Sequence, residues 1–562
     1  MSVSWQQLVA DKRRRQADAI PKEWLITPPP DTVLDVTQIP ESCGLLSARE
    51  LEITNTIDVA TVLHNLATAK WSSVEVTTAF YKRAIVAQQL VNCLTEIFVE
   101  RALARAAELD AILKDTGKVV GPLHGLPISL KDQICIEGLE STIGYVSWIG
   151  KYAERNAVLV DLLQEAGAVP FVRTNVPQTL MWSETFNSVF GRTLNPYNRK
   201  LTCGGSSGGE GALVGLKGSP LGVGSDVGGS IRIPSSFNGL YGLRPSCGRV
   251  PYAGSVNTLE GQDSIPSVLG PMSNSLSGIK LFMQAVAAGK PWLKDPLSRR
   301  APWSDAEYSL SEHGGGKKLC FGIMWHNGHV VPHPPITRAL ETTKAALLAA
   351  GHEVTDWEPY RNKELYDVTS RIWTAASDED YNAVTSLTNE PLINSMDPAA
   401  EAEIVQNAFL PAQQNVSAYQ VWQNHKAKAA MRQEHMQKWN ETVKITGTGR
   451  PVDAIITPAV AYVAPPHGKN YSAEYTAVWN ALDYTACVFP VTKVDPVLDA
   501  KRPPHEFLNA TDKKNYEFYD PETFWNAPVS LQLVGRAQEE EAVIAMTEIV
   551  DAALKKKVAP KL

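Results

Sequence analysis

The stretch CGGSSGGEGALVGLKGSPLGVGSDVGGSIRIPSSFNGLYGLRPS, Cys203 to Ser246, decides how this chain is read. Of the 38 glycines in 562 residues, 14 fall between positions 201 and 250, where even placement would put about 3. Small residues at this density allow tight turns and close backbone packing, which is the bland reading. A phosphate-cradling loop would end in Gly-Lys-Ser/Thr at a helix start, but GGSSGGEG runs on into ALVG. A nucleophile turn of the form G-x-S-x-G is matched at Gly204 to Gly208 and again at Gly205 to Gly209. That turn expects an apolar strand directly before it, and NPYNRKLTC is polar.

Working outward, residues 57–116 repeat apolar side chains at three- and four-residue spacing, as amphipathic helices covering a sheet would. Short apolar or β-branched runs follow at 126–131 (LPISLK), 169–174 (VPFVRT), 318–325, 452–460, 486–494 and 529–535, with helical segments such as AVLVDLLQEAG and TRALETTKAALLAAG between them. The alternation predicts an α/β fold, a central mixed β-sheet covered by α-helices on both faces. No 20- to 50-residue repeat interrupts it. Residues 1–60 are expected to form an N-terminal helical arm packed on the core, and 61–562 one domain. The Pro-rich stretches at 290–317 and 496–525 read as surface excursions.

Composition narrows the function classes. With 53 Lys+Arg against 60 Asp+Glu the net charge is −7, which argues against nucleic-acid binding. The 44% hydrophobic content suits a large core. Seven scattered cysteines without a CxxC pair suggest neither a disulfide framework nor a zinc site. No apolar run reaches the ~18 residues of a transmembrane helix, and the N-terminus lacks a signal-peptide core. The expected compartment is the cytoplasm. Without secretion the sequons at Asn415, Asn440, Asn470 and Asn509 read as chance, and the C-terminal Pro-Lys-Leu is a weak variant of a peroxisomal address.

Three motifs at fixed separations carry the chemistry. GPLHGLPISLKDQ places Lys131 75 residues before Ser206 of GGSSGG, and GSDVGGSIRIP places Ser230 24 residues after it. With VEVTTAFYKRA, TNVPQTLMWSE, GLRPSCGRVP and NAPVSLQLVGR, these motifs resemble the amidase signature family over roughly residues 60–540. SWQQLVADKRRR and IPKEW are similar to its fungal acetamidase or general amidase branch.

The resemblance implies an amidohydrolase that converts carboxamides to acid plus ammonia or amine through an acyl-serine. It needs no cofactor and no metal, and it acts on a small-molecule amide. A Ser-Ser-Lys relay would map to Ser230 as nucleophile, Ser206 as bridge and Lys131 as base. Oxyanion donors would come from the backbone N–H groups of Val227, Gly228, Gly229 and Ser230. Ser207, Asp226 and Arg232 would brace the loop, and Leu180, Met181 and Trp182 would line the acyl pocket. Homodimers are common in such enzymes. The residues themselves support the chemistry. Amide hydrolysis needs an activated nucleophile, a proton carrier for a poor leaving group and donors for the oxyanion. Paired glycines let successive N–H groups converge, and a desolvated lysine loses its proton near neutrality.

Other readings remain open at this level. One is a glutaminase subunit of a tRNA-dependent amidotransferase, another a non-catalytic binding protein on the same fold. Singly, Lys131 reads as a solvated lysine, Ser206 as a loop serine and Ser230 as a helix cap. His326, His329 and His333 have loose metal-like spacing but lack a fourth ligand and read as a surface loop. His124 is expected to hydrogen-bond backbone, and Lys555, Lys556 and Lys557 to be solvated.

Overall fold

The computed structural model describes residues 3–398, 416–470 and 472–558. Asn415 and the C-terminal Pro560-Lys561-Leu562 lie outside them. The described residues form thirteen strands: β1 Leu94–Ile97, β2 Pro127–Lys131, β3 Val169–Thr174, β4 Phe186–Asn187, β5 Gly191–Arg192, β6 Leu221–Asp226, β7 Tyr241–Arg244, β8 Val268–Ser273, β9 Cys320–Ile323, β10 Glu353–Asp356, β11 Ala454–Pro458, β12 Ala486–Lys493 and β13 Pro528–Val534. Eleven form one mixed sheet in the order β1-β3-β2-β6-β8-β7-β12-β13-β11-β9-β10, and β4 pairs with β5 separately. The pairs β2/β3, β2/β6, β9/β10 and β9/β11 are parallel; the rest are antiparallel.

The central strands are buried on both faces, yet β2 and β13 alternate apolar with polar residues, and the buried polar ones, Ser129, Lys131, Ser530 and Gln532, are hydrogen-bonded. Helices Leu276–Ala288, Pro334–Ala349 and Glu540–Val558 pack on β7, β8, β12 and β13, while Gly208–Gly215 and Arg232–Phe237 pack against β2, β6, β7 and β12. Helix Ser73–Val91 starts at a capping box, with Ser72 bonding Glu75 N–H and the Glu75 carboxylate taking the Ser72 N–H.

The first helix, Trp5–Asp18, is tied to the core by charge. Lys12 is buried between Glu96 and Glu140, and Arg15 also reaches Glu140 at 3.1 Å.

Two stretches differ from their sequence reading. The run 496–525 is partly internal, because Tyr519 and Phe524 are buried and pack against the His333 ring, tilted and edge-on, at centroid distances of 4.7 and 5.3 Å. His333 itself is therefore no surface-loop residue, and burial pushes its pKa down to about 3.

Candidate active site

The parallel neighbours β2 and β6 end side by side, and the space beyond the carboxyl ends of such strands is where open α/β sheets place their sites. β2 ends on Lys131, which is fully buried. β6 ends on Ser225 and Asp226, and the glycine loop 227–231 leads from it into helix Arg232–Phe237. The polar loop that precedes helix Gly208–Gly215 brings in Ser206 and Ser207, with a cis peptide between Gly205 and Ser206. β6 can lie this close because it is glycine-rich. A Cβ on Gly222 would sit 2.1 Å from Glu210 Oε2, and one on Gly224 would sit 2.8 Å from Ser207 Oγ.

Three chain segments thus meet at one nitrogen. Lys131 Nζ lies 2.7 Å from Ser206 Oγ and 2.7 Å from Ser225 Oγ. Burial lowers its pKa to about 7, against the pull of the Asp226 and Glu210 carboxylates, so the amine is partly neutral near neutral pH. Ser207 donates its backbone N–H to Ser230 O at 3.2 Å, and its hydroxyl oxygen accepts the Ser225 N–H at 3.2 Å. Those bonds join the two serine loops. Glu210 sits behind them, bonded by Ser129 Oγ at 2.6 Å and Thr174 Oγ1 at 2.9 Å, and burial raises its pKa to about 8.

The loop around Ser230 is braced from below. Asp226 Oδ1 accepts the Gly229 N–H at 2.8 Å, and its Oδ2 accepts the Ile231 N–H at 3.2 Å. Arg232 donates to both carboxylate oxygens at 3.0 Å and reaches on to Thr476 O and Gln532 Oε1. Burial alone would raise the Asp226 pKa, but the Arg232 charge and the hydrogen bonds from Arg232 and Asn480 hold it at about 2. One consequence departs from the sequence reading. The Gly229 N–H is engaged by Asp226, whereas the N–H groups of Val227, Gly228 and Ser230 have no protein acceptor among the described residues.

Ser230 opens onto a narrow pocket with a cavity volume of about 40 Å³. Leu180, Met181 and Trp182 line it, together with Ile233, Trp373 and Ala473. Trp373 comes from helix Asn362–Trp373 in a stretch without motifs. Ser225 and Gln133 were also missed, although both stand one or two residues from residues that were named.

The remaining candidates are engaged elsewhere. His124 Nδ1 accepts the Val120 N–H at 3.2 Å. His329 pairs with Glu474 at 2.8 Å, His333 Nε2 donates to Asn515 O at 3.0 Å, and His326 accepts the Gly328 N–H. No cluster of three or more His, Cys, Asp or Glu side chains suited to a metal occurs among the described residues, and all seven cysteines are free thiols. Among the described residues no helix is long and apolar enough to cross a membrane.

The fold and this site define an open-sheet α/β protein with a buried serine-lysine cluster at the base of an apolar pocket. Residues 75–544 match the model of the Amidase family, and the chain belongs to the amidase signature family. It is similar over its full length to an acetamidase of Emericella nidulans, 43% identical with 100% of both chains covered, and to an acetamidase of Aspergillus oryzae, 42% identical with 98% of each covered. Among solved structures, a fatty acid amide hydrolase matches with a TM-score of 0.88 and 33% identity, covering 98% of this chain and 95% of that one. The chain is therefore an enzyme of the amidase type.

Proposed function

We propose that the protein hydrolyses small aliphatic carboxamides through a Ser230-Ser206-Lys131 relay. Neutral Lys131 accepts the Ser206 hydroxyl proton as Ser206 accepts that of Ser230, and Ser230 Oγ attacks the amide carbon. The N–H groups of Val227, Gly228 and Ser230 receive the developing oxyanion, a function worth about 10² to 10³ in rate per donor. The proton then returns through Ser206 to the leaving nitrogen, the C–N bond breaks and ammonia departs. Water attacks the acyl-Ser230 ester by the same relay, releasing the acid and restoring the serine. Asp226 and Arg232 hold the loop and carry no proton.

The observation that carries this reading is the fully buried Lys131 amine at 2.7 Å from Ser206 Oγ, its pKa brought to about 7 by burial. The substrate class is supported by the acetamidase relatives and by a narrow pocket walled in part by Trp182 and Trp373. Treatment with a fluorophosphonate followed by peptide mapping tests the nucleophile: the adduct is expected on Ser230, and an adduct on any other residue removes the assignment. A rate comparison across acetamide, hexanamide, benzamide and a fatty amide tests the substrate class.

A further inference from the structure

The lysine has a second neighbour that the relay does not use. Ser225 Oγ is as close to Lys131 Nζ as Ser206 is, at 2.7 Å, and a hydroxyl there could act in either of two ways. If it accepts from the lysine, the nitrogen lone pair stays available. If it donates, it occupies the lone pair that the base needs for Ser206.

Gln133 settles the direction. Its Nε2 lies 2.8 Å from Tyr252 Oη and 3.0 Å from Val256 O, and because a carbonyl oxygen only accepts, this end of the amide must be the donor. The main chain pins the same contact, since Val256 N–H donates to Gln133 O at 2.9 Å. The Oε1 end therefore faces Ser225, whose hydroxyl donates to it. A serine hydroxyl has one proton, so Ser225 presents only lone pairs to Lys131. Gln133 and Ser225 are both buried, so bulk water does not substitute for either.

We propose that Gln133 is a positioning residue for the base: by drawing the Ser225 proton away from Lys131, it reserves the lysine lone pair for Ser206. The proposal rests on the Ser-Ser-Lys reading above. The charged groups around Lys131 are held by partners other than Gln133. Asp226 is bound by Arg232, Glu210 by Ser129 and Thr174, and Asp132 is turned to Thr95 and to the Thr142 and Ile143 N–H groups. Arg173 donates to Glu140 O and Ser141 Oγ.

The test is the pH dependence of kcat/KM on a carboxamide for the full chain and for Gln133→Leu, Gln133→Glu, Ser225→Ala and the double variant Gln133→Leu/Ser225→Ala. In Gln133→Leu the Ser225 proton turns to the lysine. The neutral amine is stabilised, so the acid limb is expected to move to lower pH while the plateau kcat falls about 10- to 100-fold with KM little changed, a part of the ~10²–10⁴ that a placed base supplies. Gln133→Glu keeps an acceptor and adds a negative charge, so it is expected to retain most of the plateau and move the limb to higher pH. Removing the competing hydroxyl is expected to make the double variant several-fold more active than Gln133→Leu alone.

Losses that add in the double variant, or a limb at the wild-type pH in both Gln133 variants, would overturn the proposal. If Gln133→Leu does not fold, the near-isosteric Gln133→Glu decides by its limb alone. A wild type that neither turns over amides nor takes a fluorophosphonate would sink the hydrolase reading itself, a result separate from unshifted limbs in an active enzyme.

Discussion

Asp226 and Arg232 form a two-pronged ion pair, Nε to Oδ2 and Nη2 to Oδ1 at 3.0 Å each, and neither side chain has exposed surface. The pair lies directly under the Ser230 loop. A buried pair is weak evidence for net stability, because desolvation offsets its attraction, but removing one partner leaves an uncompensated charge. Arg232→Met is therefore expected to cost about 3–5 kcal/mol in denaturant unfolding and to abolish turnover. Arg232→Lys should recover little of either, since an ammonium cannot serve both carboxylate oxygens, Thr476 O and Gln532 together. Because the folded Asp226 pKa is depressed to about 2, its contribution is fully present above the ordinary value of ~3.9 and is lost as pH falls through that window. Unfolding curves between pH 2 and 5 check the sign: the wild type should lose stability over this range more steeply than Arg232→Met.

The lysine's pKa is depressed too, so its pH slope has the same sign, but here burial disfavours the charged form. The Lys131 pKa falls in the folded protein from 10.5 to about 7, so between these values the unfolded chain binds more protons and stability rises with pH. Below about 7 the folded protein holds a buried, protonated amine that costs it stability. Two results are expected together. The kcat/KM profile should have an acid limb near pH 7, and Lys131→Met should lose about 10²–10⁴ in rate or more while being no less stable than wild type at pH 6. A destabilised Lys131→Met, or an active one, would remove the lysine from the role of base.

How much of this was legible in the sequence depends on what each residue contacts. The runs at 126–131 and 169–174 read as strands because β2 and β3 are buried on both faces and carry apolar, β-branched residues. β6 did not, because Gly222 and Gly224 make room for Glu210 and Ser207 and so remove the side chains that mark a strand. β8 holds a glycine and a proline, and β10 is three half-buried residues and one exposed residue at the sheet edge. Lys131, Ser206 and Ser230 stand inside distinctive flanks, whereas Gln133 and Trp373 owe their places to contacts made only in three dimensions. The Gly229 N–H was read as an oxyanion donor from local sequence. Its engagement by Asp226 follows from the turn geometry, with φ at +134°.

That turn makes the two loop glycines distinguishable. At Gly229 an added Cβ would meet Thr476 Oγ1 at 2.3 Å in a backbone conformation that L residues rarely adopt. At Gly228 the obstacle is Trp373, whose ring edge would lie 2.7 Å from the new methyl, and the backbone itself imposes no positive φ. Both alanine variants are expected to lose about 10²–10³ in kcat, the scale of a displaced oxyanion donor. Only Gly228→Ala should be rescued by a second change, with Trp373→Phe restoring about tenfold or more of a loss on that scale. Gly229→Ala with Thr476→Ser should stay inactive, because the backbone strain is untouched. Equal rescue of both variants would show that the φ of Gly229 does not matter.

Trp373 also sets a limit on the acyl group. Its ring lines the pocket with Ser230, Leu180, Met181 and Trp182, lies against Gly228 and is buried in the core. An acyl chain that grows from the Ser230 ester into this pocket meets the Trp373 ring. Each methylene accepted or refused by such a pocket is worth about 1–3 kcal/mol, or 10- to 200-fold in kcat/KM. Trp373→Leu is therefore expected to raise the hexanamide to acetamide ratio of kcat/KM by about 10- to 100-fold, mainly by admitting the longer chain, while the acetamide kcat stays within about threefold because the relay and the N–H donors are unchanged. Competition between the two amides in one assay gives the ratio directly. If the ratio does not move, chain length is set elsewhere, and Trp373 serves only to hold the Gly228 loop in place.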